Sequence, residues 1–453
     1  MKQSIRIASG QGFWGDLQTA PVAQVRNGPV DYMMMDYLAE VTMSILQKQK
    51  MKDPKLGYAK DIVPLFEEIL PDVVKKNIRV ITNGGGVNPT ACRDAIFAVA
   101  EKLKIKKLKI GVVLGDDILG DIDALAAQGI KLDNMETGET LASIRPNVIS
   151  ANVYFGAFPI VEALRQGAQI VITGRTTDTG LTLAPMIYEF GWNDSDWDRL
   201  AAGTVAGHIL ECGGQASGGN FSGDWKSVPD LAHIGFPIAE AHPDGTIIIT
   251  KHDRTGGRVS SATVKEQLVY EIGDPKNYIT PDCIADFTTI QLNDAAINRV
   301  EVSGVKGKPA TEFYKVSMSY FDGYTAFGTL TYAWPDALEK ASKADEILRI
   351  RLSDLHLKFD EIRTEYLGFD SCFGPQAKRS ESMNEVVMRV GVRSRDKEAV
   401  ERFSKELAPL ILTGPPGVTG FAGGRPKPSE VIAYWPALIP KPAVTPTVIV
   451  EEH

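Results

Sequence analysis

The first half of the chain alternates short apolar runs with segments of helical period. IRIAS (5–9), DYMMM (31–35), IRVIT (78–82), LKIGVVLG (108–115), NVISANVYF (147–155) and QIVITG (169–174) read as strands. Their near-continuous apolar character is that of strands covered on both faces. Between them Leu38, Val41, Ile45 and Leu46 fall at helical spacing, and Pro89 to Leu103 and Pro159 to Gln166 read as helices. Such alternation predicts an α/β fold with helices over a parallel sheet. The expectation for residues 1–245 is an open, mostly parallel, doubly wound sheet, Rossmann-like, with glycine-rich loops at the strand ends.

Beyond residue 245 the pattern changes. TIIITK (246–251), FYKVSMSYF (313–321) and YTAFGTLTYAW (324–334) read as strands, and the DG between the last two predicts a hairpin turn. A helix over about 335–360, a strand at VVMRVGVRS (386–394) and a helix over 396–408 follow. Residues 246–453 are therefore expected to form a smaller α+β domain. From Gly414 the chain reads as loop, FGPQ (373–376) and TGPPGVTGFAGGRPKP (413–428) as structural loops placed to close over the site, and KPAVTPTVIV (441–450) as a tethering tail.

Composition narrows the class. The 453 residues are 43% hydrophobic and 23% charged, the balance of a soluble globular protein. A formal net charge of −8 counts against nucleic acid and against an anionic membrane surface as partners. No stretch of 18 uninterrupted apolar residues predicts a membrane span, and MKQSIRIASGQGFWGD lacks the apolar core of a secretory signal. The four cysteines, 92, 212, 283 and 372, form no CxxC pair and read as reduced thiols. These features predict a cytoplasmic protein.

Candidate chemistry gathers at predicted strand ends, where open α/β sheets bind ligands. In ITNGGGVNPT (81–90), Asn83, Gly84, Gly85 and Gly86 follow a strand, and Asn88 and Pro89 open a helix as N-cap and first residue. Backbone N–H groups there, with the helix dipole, suit an anion; the plainer reading is a tight turn. The spacing matches neither a Walker loop nor GxGxxG, so no dinucleotide is inferred. GDD (115–117) places Asp116 at another strand end, as a general base or as a capped turn. In TGRTTDTG (173–180), the Arg175 fork suits a carboxylate or phosphate, and an Arg175–Asp178 ion pair would stiffen the loop; both readings hold together.

GHILECGGQASGGNF (207–221) ends a predicted helix in glycines. His208 and Cys212, four apart, share a face, with Glu211 beside it. A zinc site would need further ligands, and no second His/Cys cluster exists, so no metal is expected. Cys212 as a nucleophile paired with His208 is the less favoured role, because free Cys is commonly a core residue. Glu211, raised in pKa by partial burial, is the preferred acid–base group, with Gln215 and Asn220 orienting a substrate carbonyl. TKHDRTGGRVS (250–260) is locally basic, and Lys251, Thr255 and Gly256 suit a carboxylate or a phosphate-bearing carrier such as coenzyme A.

GFWGD (12–16), DYLAEVTMSIL (36–46), TNGGGVNP (82–89), GDD, TGRTTDTG, EFGW (189–192), GHILECGGQASGGNF, TGG (255–257) and ATVKEQLVYEIGDP (262–275) together resemble the acyclic terpene utilisation (AtuA-like) family, from near the N-terminus to about residue 350. The resemblance implies a place in branched acyl-CoA breakdown, such as that of citronellol and geraniol in bacteria. Many relatives carry a further small ferredoxin-like domain at the C-terminus; this chain is read as stopping before one, and the expectation from the resemblance is a separate small ferredoxin-like subunit. Combined with the residues, the expectation is a lyase, a hydratase/dehydratase or C–C lyase acting on a branched carboxylate or its CoA thioester. The contrasting reading is a non-catalytic binding or assembly subunit of an acyl-CoA-processing complex. Coenzyme A enters only as part of the substrate, no other cofactor is expected, and a homo-oligomer is expected.

Overall fold

A computed structural model describes residues 2–379, 383–420 and 424–453; residues 421–423 of the expected closing segment lie outside the described residues. The chain divides into two compact units, one of residues 1–319 and 434–453, the other of residues 320–433.

The first unit is built on a ten-stranded open sheet. Five strands in its middle run parallel: β1 (Ile5–Gln11), β2 (Tyr32–Met35), β3 (Arg79–Thr82), β4 (Lys109–Leu114) and, after β5 (Val148–Val153), which lies outside this sheet, β6 (Ile170–Thr173). They stand in the order β1-β2-β3-β6-β4. Antiparallel strands extend both edges. β7 (Ile238–Ala241), β8 (Ile247–Thr250), Arg299–Ser303 and Gln291–Ala296 continue from β1, and Thr447–Glu452 pairs with β4. The sheet as a whole is thus mixed. Residue 245, where two domains were expected to meet, lies between β7 and β8, which pair with each other.

Every residue of β2 and β6 is buried, which is why their sequences carry no polar alternation. Met33 and Met35 of β2 and Val80 of β3 share one core with α3 (Ile62–Lys75) and α4 (Pro89–Lys102). These helices follow α1 (Thr19–Arg26) and α2 (Glu40–Lys52). In α3, Ile62, Leu65, Phe66, Ile69, Leu70 and Val73 repeat at three- and four-residue intervals and are all buried. α2 differs from its predicted stripe. It buries Met43 and Leu46 but leaves Val41 54% and Ile45 45% exposed.

After α5 (Ile122–Ala127) and α6 (Phe158–Arg165), α7 (Gly180–Phe190) and α8 (Trp197–Leu210) pack closely. A Cβ at Gly207 would stand 2.5 Å from the Cα and carbonyl oxygen of Thr179, so only glycine admits this approach.

The second unit is an antiparallel sheet of Glu361–Leu367, Glu385–Ser394, the later part of Phe313–Ala333, and Val418–Thr419. Helices Ala337–Asp354 and Lys397–Leu407 share its core through Leu348, Leu352, Phe403 and Leu407. Two expectations are corrected. Phe313–Ala333 is one 21-residue strand rather than a hairpin. Gly323 takes φ +97°, but the residues on either side of it pair with different partners: Tyr154 N donates to Lys315 O, while Tyr324–Ala333 pair with Glu385–Ser394. The tail is also no loose tether: Ser429–Pro440 is a strand and Thr447–Glu452 an edge of the large sheet.

No helix among the described residues is long and apolar enough to cross a membrane. All four cysteines are free.

Candidate functional site

Three loops leaving the carboxyl ends of β2, β3 and β6 meet at Arg175. Its side chain is 1% exposed, yet it is a guanidinium. Burial of a cation requires partners on every side. Nη1 donates to Leu38 O at 2.6 Å, Nε to Thr176 O at 3.1 Å, and Nη2 to Asp178 Oδ1. The plane lies over the Tyr154 ring, 4.3 Å from its centroid. Desolvation disfavours its charge, but Asp178, Tyr154, Asp36 and Glu40 outweigh that and hold the guanidinium firmly protonated. The Arg175–Asp178 pair read from the sequence is therefore present, and the fork faces protein groups.

Around this cation stand three carboxylates, and a fourth, Glu211, acts on two of them. Asp36, directly after β2, is 5% exposed and accepts from Asn83 Nδ2 at 2.7 Å and from Leu38 N at 3.1 Å. Burial pushes its carboxyl up to about 6 against the pull of Arg175 and Asn83, and the charge of Glu211 adds to the rise. Asp178 keeps 34% of its side-chain exposure. Its carboxyl is raised well above the usual range, first by desolvation and then by Asp36, Glu211 and Glu40, against Arg175. Glu40 opens α2 and accepts from Tyr154 Oη at 2.9 Å, with Lys315 Nζ at 3.6 Å. Desolvation of Glu40 is outweighed by its own backbone N–H, Arg175 and Lys315, which keep its pKa low. Lys315 also sits 5.0 Å from the Tyr154 ring centroid, so that ring contacts two cations.

Glu211 comes from the C-terminal end of α8. Ser9 Oγ donates to Leu210 O at 2.8 Å, and a Cβ on Gly12 would lie 2.9 Å from the backbone of Cys212, so this helix end abuts the end of β1. Glu211 Oε1 is 2.8 Å from His208 Nδ1. His208 is 1% exposed, with Tyr278 and Phe287 edge-on to its ring. Burial disfavours its charge, but Glu211 outweighs this and raises its pKa. Burial pushes the Cys212 thiol up to about 12, which keeps it a thiol at neutral pH and unsuited to nucleophilic attack.

Asp116 lies behind the Arg175 loop. One oxygen, Oδ2, accepts from Arg175 N at 2.8 Å and from Asn152 Nδ2 at 3.0 Å. Burial pushes this carboxyl up to about 7. Asp116 and Asp36 thus hold protons in the folded chain at pH values where the unfolded chain has released them. Stability is then greatest near the usual carboxylate range and falls as pH rises through about 6 and about 7. An Asn at 116 can present its carbonyl to both donors. Asp116→Asn is accordingly expected to raise the urea midpoint at pH 8 and to shrink the pH 5 to pH 8 difference. An unaltered pH dependence would show that Asp116 does not carry it.

Asn83 accepts from Tyr37 N at 2.7 Å and so fixes Asp36 from behind. Gly84, Gly85 and Gly86 are buried. Gly84 N donates to Thr82 Oγ1 and Gly86 N to Asn83 O, and a Cβ at Gly85 would stand 2.6 Å from Thr173 O. Gly85 packs the end of β3 against β6, while Gly84 lies against Ile62 and Tyr37 and Gly86 against Leu46 and Gly57. Asn88 precedes α4 but gives its side chain to Pro54 O and Leu56 O rather than to the helix. Gln215 lies half-buried in the short helix Gly213–Ser217, and Asn220 is exposed at φ +54°. Lys251 gives Nζ to Thr255 O at 2.7 Å, Thr255 Oγ1 donates to His252 O at 2.6 Å, and Gly256 N donates to His233 O at 2.7 Å. Lys251 lines a cavity that no residue of the carboxylate cluster lines.

Sequence reasoning missed Asp36, Glu40, Tyr154 and Lys315. The signal for Asp36 was available, since it ends the DYMMM strand as Arg175 ends QIVITG. Among the described residues no group of three or more His, Cys, Asp or Glu is arranged to hold a metal ion.

The model of the acyclic terpene utilisation family protein AtuA matches residues 5–450. No curated protein and no solved structure matches the chain.

Proposed function

The chain belongs to the acyclic terpene utilisation family, and from that membership and its carboxylate cluster we propose that it is a lyase of branched-chain carboxylate or acyl-CoA breakdown, of the hydratase/dehydratase type. The observation that carries this reading is the gathering of Asp36, Asp178 and Glu40 about one buried arginine, with Glu211 acting on two of them. Of these, Asp36 and Asp178 have carboxyls raised from their ordinary range, which marks groups suited to moving protons near neutral pH.

In the dehydrating direction, Glu211 takes the proton from the carbon beside the substrate carbonyl. The raised Asp178 carboxyl gives its proton to the departing hydroxyl, which leaves as water. Electrons of the broken C–H bond become the new double bond, and hydration reverses each step. Arg175 holds Asp178 in place, and Lys315, 41% exposed, faces the acidic end of the substrate. Val41 and Ile45, one turn apart and exposed next to Glu40, offer the branched chain an apolar surface.

The test is to incubate the full chain in deuterated water with a panel of branched carboxylates and their CoA thioesters. Incorporation of one deuterium at the α-carbon, or interconversion of hydroxy and unsaturated forms, supports the reading. Neither event with any member of the panel overturns it and leaves the binding or assembly role.

A further inference from the structure

Apart from the carboxylate cluster, a cavity of 660 Å³ lies where the start of β1, the end of α1 and the loop after β8 meet. It is lined by Arg6, Arg26, Lys251, His252, Arg254 and Arg299, together with Glu240 and Asp253. Two of these cations are matched: Arg26 by Glu68 at 3.1 Å and Asp72 at 3.2 Å, and Arg299 by Glu240 at 3.2 Å. Three are not. Arg6 Nε is buried without a hydrogen-bond partner. Lys251 is 4% exposed and its ammonium meets the carbonyl of Thr255. Arg254 is exposed at the rim. Among the described residues none of the three forms an ion pair; Asp253 is exposed and only favours the Lys251 charge from a distance.

The neighbouring groups report the resulting field. The His252 pKa is lowered first by burial, and the charges of Arg6 and Lys251 lower it further. The carbonyls at the end of α1 would oppose an anion, but Lys76 Nζ covers them, 2.6 Å from Val25 O and 3.3 Å from Arg26 O.

We propose that this cavity binds a phosphate-bearing ligand, a diphosphate or a phosphate monoester held by Arg6, Lys251 and Arg254. In a chain of net charge −8, three unmatched cations around one space are a costly arrangement that a multiply charged anion relieves. A lone carboxylate balances one of them, whereas a diphosphate balances all three and presents oxygens that guanidinium forks match in pairs. The volume also exceeds the needs of a single small ion and falls among ordinary small-molecule sites. The proposal does not rest on the lyase reading, since no residue of the carboxylate cluster lines the cavity.

Isothermal titration of the full chain at low salt with inorganic pyrophosphate, ADP and citrate tests it. Saturable binding of pyrophosphate or ADP is expected, weakened by roughly 10-fold or more in Arg6→Gln/Arg254→Gln. Arg254→Gln alone, at an exposed position, keeps the test valid should the double variant fail to fold. Tighter binding of ADP assigns a nucleotide-linked phosphate, and equal binding assigns free diphosphate. No pyrophosphate or ADP binding by the wild type, binding unchanged by either variant, or citrate bound as tightly as pyrophosphate would overturn the assignment.

Discussion

Asp178→Asn is expected to lower turnover by roughly 10²- to 10⁴-fold, the range lost when a positioned proton donor is removed. The change is well suited to separate chemistry from folding. The Asp178 carboxyl is raised well above the usual range, first by desolvation, so the neutral amide imitates its protonated form. The amide oxygen can still accept from Arg175 Nη2, as Oδ1 does. The variant should therefore keep its fold, with stability lowered by the loss of one of the charges that offset the buried Arg175, and lose the transferable proton. Rates of α-deuterium incorporation and of hydration, compared with the wild type after circular dichroism confirms the fold, supply the measurement. A rate equal to the wild type would remove Asp178 from the chemistry.

The largest effect on stability is expected from Arg175→Met. A methionine fills much of the space but leaves the carbonyls of Leu38 and Thr176 without their donors and the surrounding carboxylates without their buried counter-charge. Breaking one side of a buried ionic cluster costs about 3–5 kcal/mol. The backbone N–H of residue 175 persists, so the bond to Asp116 survives and the loss belongs to the side chain. Lowering the pH protonates Asp36 and Asp178 and relieves the repulsion that Arg175 had balanced. The deficit in urea midpoint should thus be smaller at pH 5 than at pH 8. A deficit of equal size at both values would show that lost packing over Tyr154, rather than charge, dominates.

The sequence was informative where one physical cause acted alone. The parallel strands were legible because burial on both faces leaves apolar runs, and the strand-end position of Arg175 followed from the same pattern. The candidate site was half legible. Arg175, Asp178, Glu211, His208 and Asn83 come together, while Lys251 lines another cavity with its ammonium on the Thr255 carbonyl. Lys315 and Tyr154 were out of reach, because nothing local in FYKVSMSYF or NVYF says that a distant loop brings a guanidinium to them. Glycines carried two meanings that the sequence does not separate. In GGGVN the space beside Gly85 is taken by Thr173 and that beside Gly86 by Leu46 and Gly57. The DG pair failed as a hairpin signal because strand partners from elsewhere outweighed local turn preference.

The pairing of Thr447–Glu452 with β4 also bears on how the chain is made. Residues 109–114 must wait for more than three hundred later residues before that ladder can close. Ribosomal synthesis at roughly 5–20 residues per second makes the interval tens of seconds. For that time Ile110 to Val113 offer a bare strand margin, one that invites contact with chaperones or with other nascent chains.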